Sequence, residues 1–309
     1  MAGAGADPAG PVLARLPRPR ASPRCRLAVV ADPHLAVGDA GTWKVLHRTR
    51  ERLSTAVGDA NARDVDALVV AGDLTRDGTA AEFDAVERVL ADLGVPWAAI
   101  PGNHDVPKEF NSHEGIEVES FTERFAPGLP FAMEVGPLTV LGVDTATAPD
   151  GRLRETWGGA LGSEGRDRLE VALARAERPV VVAHHNLAPL PENPGGKWAR
   201  FPMRDAGAVR DLLCEHDVPL AVTAHHHVPA ARRHGPTAEV LAPAVCSFPQ
   251  ASLVLEVGPG GTTVRLVPLA DESGVREARR HALCGKPLGR GILTLVESRL
   301  AGLDGRPEL

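Results

Sequence analysis

Seven side chains in this 309-residue chain are oxygen or nitrogen donors of the kind that hold divalent cations: Asp32, His34, Asp73, Asn103, His184, His225 and His227. They fall in five short blocks. The densest is Gly102-Asn103-His104-Asp105, in which Asn103 offers a neutral carbonyl oxygen to a metal and His104 can take up or deliver a proton near neutral pH. Asp105 is expected to hold that imidazole in orientation. Asp32-Pro33-His34 puts a carboxylate and an imidazole where both can turn toward one cation. In Gly72-Asp73 the glycine lets the backbone turn sharply, and the carboxylate after it can be shared by two cations. Taken singly, each block also reads as an ordinary turn.

What lifts them above turns is the sequence before each one. Residues 26–31, 67–71, 95–101, 179–183 and 219–223 are short apolar runs with the length of buried strands, and every one runs straight into a donor block. In α/β proteins the carboxyl ends of such strands share one rim, so residues far apart in sequence converge there. Seven donors at one rim make a site for two divalent cations, and the mixture of carboxylate, amide and imidazole suits manganese, iron or zinc better than calcium.

Helical spacing fills the intervals. Residues 45–62 and 79–93 have apolar faces at helical period, the second opened by a Thr79-x-x-Glu82 capping box. Shorter helices are expected at 118–125, around Leu169 to Ala176, and at 205–216 with Asp205 as N-cap. Residues 138–143 form a further strand ending at Asp144, a cap or a support for the site. Runs at 240–242, 252–257 and 262–267, the last two parted by Pro259-Gly260-Gly261, complete the architecture with antiparallel strands. Residues 106–130 follow the richest block with weak periodicity, a candidate lid or a plain connection, and residues 186–204 form a Pro/Gly-rich loop over the same rim.

Length and continuous αβ alternation point to one large domain over residues 25–270. Residues 1–24, rich in Ala, Gly, Pro and Arg, read as a disordered tail or a basic contact arm, and residues 271–309 as a peripheral helical extension without chemistry. Net charge is −6; Arg15, Arg18, Arg20 and Arg24 against Asp7 give the tail +3 and leave −9 on the rest, a poor surface for nucleic acid. Cys25, Cys214, Cys246 and Cys284 are isolated, which excludes a zinc ribbon and fits a reducing compartment. No apolar run approaches the roughly 18 residues of a membrane helix, and the N-terminus lacks the apolar core of a secretory signal, so a cytoplasmic setting without membrane contact is expected. Oligomeric state is left open.

The ordered pattern D-x-H, G-D, G-N-H-D, H and x-H-x-H resembles the calcineurin-like metallophosphoesterases over residues 26–227. The resemblance implies their α/β sandwich, two mixed β-sheets flanked by helices. It also implies a dinuclear centre in which Asp32, His34, Asp73 and His227 hold one metal while Asp73, Asn103, His184 and His225 hold the other, with Asp73 bridging. His104 would then act on the phosphoryl group or the departing oxygen, with Asp105 orienting it. The implied activity is hydrolysis of small phosphate esters by a two-metal-activated hydroxide. Gly72-Asp73-Leu74-Thr75-Arg76-Asp77-Gly78 looks like the bacterial and archaeal phosphodiesterase branch, which leans the expectation to cyclic nucleotide or glycerophosphodiester substrates. Phosphomonoesters are the close rival; a nuclease and a non-catalytic scaffold are more distant ones.

Two positions depart from the family pattern: Ala224 stands where glycine is usual, and His184-His185-Asn186 where many members read H-H-P-P. His185 and His226 neighbour candidate ligands on extended chain and are expected to face away, as packing or supporting groups. His47, His113, His216, His234 and His281 are expected at the surface. Trp43, Lys44, Lys197 and Trp198 fall in loops near the rim, where structural or solvated roles are expected and substrate contact is the alternative.

Overall fold

Apolar runs become strands where both of their faces can be covered. In the computed structural model, which describes residues 10–38, 41–109, 114–147, 158–190, 192, 198 and 201–303, two six-stranded sheets face each other across a shared core. From edge to edge the first is β1 (Val12–Leu16), β12 (Gly261–Pro268), β11 (Ala251–Gly258), β2 (Cys25–Val30), β3 (Ala67–Ala71) and β4 (Trp97–Ile100). The second is β5 (Phe131–Val135), β6 (Leu138–Gly142), β7 (Pro179–Val182), β8 (Leu220–Thr223), β10 (Thr237–Leu241) and β9 (Ala230–His234). Parallel blocks β2-β3-β4 and β6-β7-β8-β10 are flanked by antiparallel neighbours, so both sheets are mixed.

Alternation explains why the parallel strands read as continuous apolar runs. Leu27, Val29, Ala67 and Val69 enter the core between the sheets, whereas Ala28, Val30, Leu68 and Val70 meet the helices α1 (Thr49–Ala62) and α2 (Ala80–Leu90). Phe121 and Phe125 of α3 (Val118–Phe125) close the same layer. On the second sheet Leu141, Val181 and Ala221 pack on α4 (Gly162–Leu173) and α5 (Ala206–Glu215). Each fully buried Leu or Val contributes about 1.5–3 kcal/mol. α2 begins at the expected capping box: Thr79 Oγ1 accepts from the Glu82 N–H while the Glu82 carboxylate accepts from that of Thr79. Asp205 does stand at the start of α5, but its side chain makes no cap bond. Its carboxylate accepts instead from the N–H groups of Leu161 and Gly162 and from Arg166, tying the two helices together.

The tail is corrected. Residues 12–16 form edge strand β1 on β12, the Pro19 carbonyl accepts from Thr262 Oγ1 at 2.8 Å, and Ala21 N–H donates to the Gly258 carbonyl. The ordering comes from partners more than 200 residues away, which no local pattern reveals; residues 1–9 lie outside the described residues. β5 and β9, with exposed or half-exposed centres, are edge strands unread for the same reason. At the other end α6 (Glu272–Cys284) and α7 (Pro287–Ala301) are helical as expected, yet they bury Ala278, Ala282, Ile292 and Val296 against Val228, Leu241 and Phe248. Residues 110–113 of the candidate lid and most of residues 191–200 lie outside the described residues.

Leu13 of β1 is 2 % exposed between the sheets. Leu13→Ala is expected to cost about 2–5 kcal/mol in urea unfolding, and a loss within 0.5 kcal/mol of zero, the range of ordinary surface substitutions, would mean that β1 is not docked.

Candidate metal centre

β2, β3 and β4 of the first sheet and β7 and β8 of the second end on the same edge of the sandwich, each delivering one donor block. The rim expected of one sheet is therefore a seam between two. All seven candidate ligands are buried. Five of them turn through left-handed backbone: φ is 49° at Asp32, 42° at His34, 51° at Asp73, 66° at His225 and 58° at His227. Such conformations cost about 1–2 kcal/mol for residues with a Cβ and gather at functional sites. Backbone bonds between loops hold them there, among them Asp32 N–H to the Gly72 carbonyl and His34 N–H to that of Asp73. Gly72, at φ +88°, has no tolerable substitute, because a Cβ there would lie 2.5 Å from His184 Nδ1. Ala224 is buried and absent from the positive-φ residues, so its departure from glycine is accommodated.

The donors sort into two groups around one carboxylate. Asp73 Oδ2 is 3.3 Å from His34 Nε2, and Asp32 Oδ1 is 3.8 Å from that nitrogen and 3.2 Å from His227 Nε2. Asp73 Oδ1 is 3.4 Å from His184 Nε2, which lies 3.2 Å from both Asn103 Oδ1 and His225 Nδ1. Each oxygen of Asp73 thus faces a separate set.

These sets fit divalent cations on their own chemistry. Asp32 Oδ1 and His225 Nε2 are buried with no hydrogen-bond partner among the described residues, an expensive state unless something charged or polar joins them. The Ala71 carbonyl accepts from His184 Nδ1–H at 2.9 Å, which aims Nε2 at the site. Burial keeps His34, His225 and His227 below their ordinary range, so their imidazoles are neutral with lone pairs to offer. Burial also works against charge on Asp73, yet the surrounding His184, His104 and His34 hold its carboxyl well below the usual range. Against its own burial, His184 is pushed up to about 9 by Asp73. The proton on His184 stands where a cation would balance the same charge.

A family model described as calcineurin-like phosphoesterase matches residues 25–229. The chain belongs to that family. Among curated relatives, a probable cyclic nucleotide phosphodiesterase of Synechococcus is 33 % identical over 26 % of this chain and 32 % of its own length. Another, of Psychrobacter arcticus, is 25 % identical over 59 % of this chain and 63 % of its own. The chain thus spans less than two thirds of either relative. Among solved structures, a dimetal phosphatase from Danio rerio has a TM-score of 0.62 at 13 % identity, covering 80 % of this chain and 97 % of that one, and so shares the fold.

His104 lies beside the first donor group, its ring 4.4 Å from that of His34. His104 N–H donates to Asp73 Oδ1, and the Arg76 carbonyl accepts from Nδ1–H. Asp105 does not orient this ring. Its carboxylate accepts from the N–H groups of Gly102, Leu74 and Thr75 and from the Thr75 hydroxyl at 2.8–3.0 Å, clamping the GNHD loop to the GD loop. With its oxygens engaged by these four donors it has none left for the imidazole. Burial and the nearby Asp73 push that carboxyl up to about 6, against the pull of its donors.

His226 faces away, hydrogen-bonded to Asn186 and stacked on Phe201, whereas His185 does not: Thr145 Oγ1 meets its Nδ1, yet its ring lies 4.9 Å from that of His184 and 4.6 Å from that of His225, with one of its nitrogens within 4.8 Å of ligand nitrogens on both. Asp144 caps its own turn through Ala146 N–H. His113 and Lys197 lie outside the described residues. His234, expected at the surface, is instead 2.7 Å from Glu239, a fully buried carboxylate that also accepts from Arg232, Thr223 Oγ1 and Leu187 N–H. Glu239 braces the chain that leaves His184. Its position in an apolar strand, TAEVL, was the one available signal, a lone acid amid core residues.

Burial works to raise the Glu239 carboxyl, but His234 and Arg232 bring it down to about 2 from an ordinary 4.5. A depressed acid stabilises the fold above its unfolded pKa and loses that contribution as pH falls toward the folded value. We therefore expect about 3 kcal/mol of stability to disappear between about pH 5 and 2. Glu239→Gln should flatten that part of a urea-midpoint-against-pH curve; an unchanged slope contradicts the assignment.

Proposed function

We propose that this phosphoesterase hydrolyses small phosphate esters with two divalent cations, manganese, iron or zinc, and favours phosphodiesters of the cyclic nucleotide or glycerophosphodiester type. The observation that carries this reading is Asp73, whose two oxygens face two separate donor sets. Asp32, His34, Asp73 and His227 would hold one cation and Asp73, Asn103, His184 and His225 the other. Bound there, the pair would acidify water and offset charge on phosphoryl oxygens during an in-line displacement.

The chain's own residues supply the rest. Because a carbonyl can only accept, His104 Nδ1 carries its hydrogen toward Arg76, and Nε2 is the atom that exchanges a proton with the ester oxygen. Burial keeps His104 well below its ordinary range, so the free ring is neutral with a lone pair on Nε2. Asp105 keeps the loop carrying His104 rigid. The diester preference is supported by relatives named as probable cyclic nucleotide phosphodiesterases and, in Arcobacter nitrofigilis, a probable glycerophosphodiester phosphodiesterase. The net charge of −6 argues against long nucleic acid as substrate. No helix of the described residues is long and apolar enough to cross a membrane, and four free cysteines support a reducing, cytoplasmic setting.

With manganese loaded, bis-p-nitrophenyl phosphate should turn over faster than p-nitrophenyl phosphate, and chelation should abolish both. Faster monoester turnover reverses the substrate preference. His104→Ala should retain its metal and lose about 10²–10⁴-fold in kcat; unchanged turnover removes His104 from the mechanism.

A further inference from the structure

We propose that Lys44 is a positioning residue for the substrate's phosphoryl group, held at the metal centre by the C-terminal helices. The assignment rests on the phosphate-ester reading. Lys44 Nζ lies 2.8 Å from His34 Nε2 and 5.5 Å from the centroid of the Trp43 ring. Trp43 in turn lies 5.2 Å, ring to ring, from His227. Tryptophan and lysine together form a wall on the side of the first donor group.

That wall has no strand or helix of its own. Residues 41–45 precede the first helical turn and depend on distant partners. Val45 N–H donates to the Cys246 carbonyl at 2.7 Å, and Cys246 N–H donates to that of Asp32, so the segment hangs from the loop that carries the first ligands. From the other side α6 reaches over: His281 Nδ1–H donates to the Thr42 carbonyl at 2.6 Å, and Glu277 meets His47 at 2.9 Å and Arg48 at 3.1 Å. α7 begins against the indole. A Cβ at Gly289, and one at Gly285 before the helix, would each lie 2.5 Å from Trp43 Cβ, so glycine alone permits this approach. The extension expected to be peripheral is thereby built around the two residues that face the site.

An ammonium is a compact point charge that binds phosphate oxygens without demanding bidentate geometry. A phosphodiester must come close to Asp32 and Asp73, and one more cation beside His34 lowers that repulsion for any phosphoryl group. The same ammonium is also near enough to the His34 lone pair to compete with a metal ion for it. The two roles have opposite consequences when the amine is removed.

The test uses the full-length metal-loaded protein and its Lys44→Ala, Lys44→Arg and His281→Ala variants, each assayed for bound metal, for inorganic phosphate affinity by calorimetry, and for KM and kcat. For Lys44→Ala we expect metal content to be unchanged, phosphate affinity to fall and KM to rise by about tenfold or more, as for loss of a charged hydrogen bond, with a smaller effect on kcat. Lys44→Arg should recover part of the phosphate affinity, and His281→Ala should lose part of it. Unchanged phosphate affinity and KM in Lys44→Ala overturn the proposal, as does a rise in bound metal and turnover, which would make Lys44 a competitor for the metal. If neither ester is hydrolysed by the parent protein, the phosphate titration still decides the role of Lys44, while the functional reading fails separately.

Discussion

Asp73 carries a negative charge at a seam between two sheets where almost no water reaches it, and most of the surrounding structure is arranged to compensate. Burying an isolated carboxylate is among the costliest acts in folding. Here the charge is met by His184 on one oxygen and by the His104 N–H, while Asp105 accepts from the N–H groups on either side of the same loops. The left-handed backbone at Asp32, His34, Asp73, His225 and His227 is tolerated because each loop is hydrogen-bonded to its neighbour. Remove the charge, and there is little reason for three loops with five strained residues to meet.

The sandwich follows from that requirement. Neither sheet alone supplies both donor sets: the first brings Asp32, His34, Asp73 and Asn103, the second His184, His225 and His227. The shared core of Leu27, Val29, Val69, Val182 and Val222 therefore does more than stabilise. It fixes the spacing between the two sets, so packing errors would be felt at the centre as misplaced ligands.

What could be read from the sequence is what is local. Each buried parallel strand announces itself as an apolar run, and a polar block after it marks the rim, so Asp32, His34, Asp73, Asn103, His184, His225 and His227 were all legible. Thr79 and Glu82 likewise announced the start of α2. Roles set by tertiary partners were not. Asp105 sits next to His104 in sequence and was expected to serve it, but the four donors that claim its carboxylate come from loops brought together by folding. Glu239 looked like one charge in a strand, and its partners lie on three other segments. β1 pairs with a strand near the far end of the chain, so its few apolar residues resembled a disordered tail. Trp43 and Lys44 could be placed near the rim, but the glycines that admit them belong to the C-terminal end of the chain.

The most direct test of a shared Asp73 is anomalous diffraction from crystals grown with manganese. Two peaks are predicted about 3.5–4 Å apart, one on each side of the Asp73 carboxylate and each within bonding reach of one of its oxygens. A single peak at full occupancy, or a pair seated away from Asp73, would contradict the account.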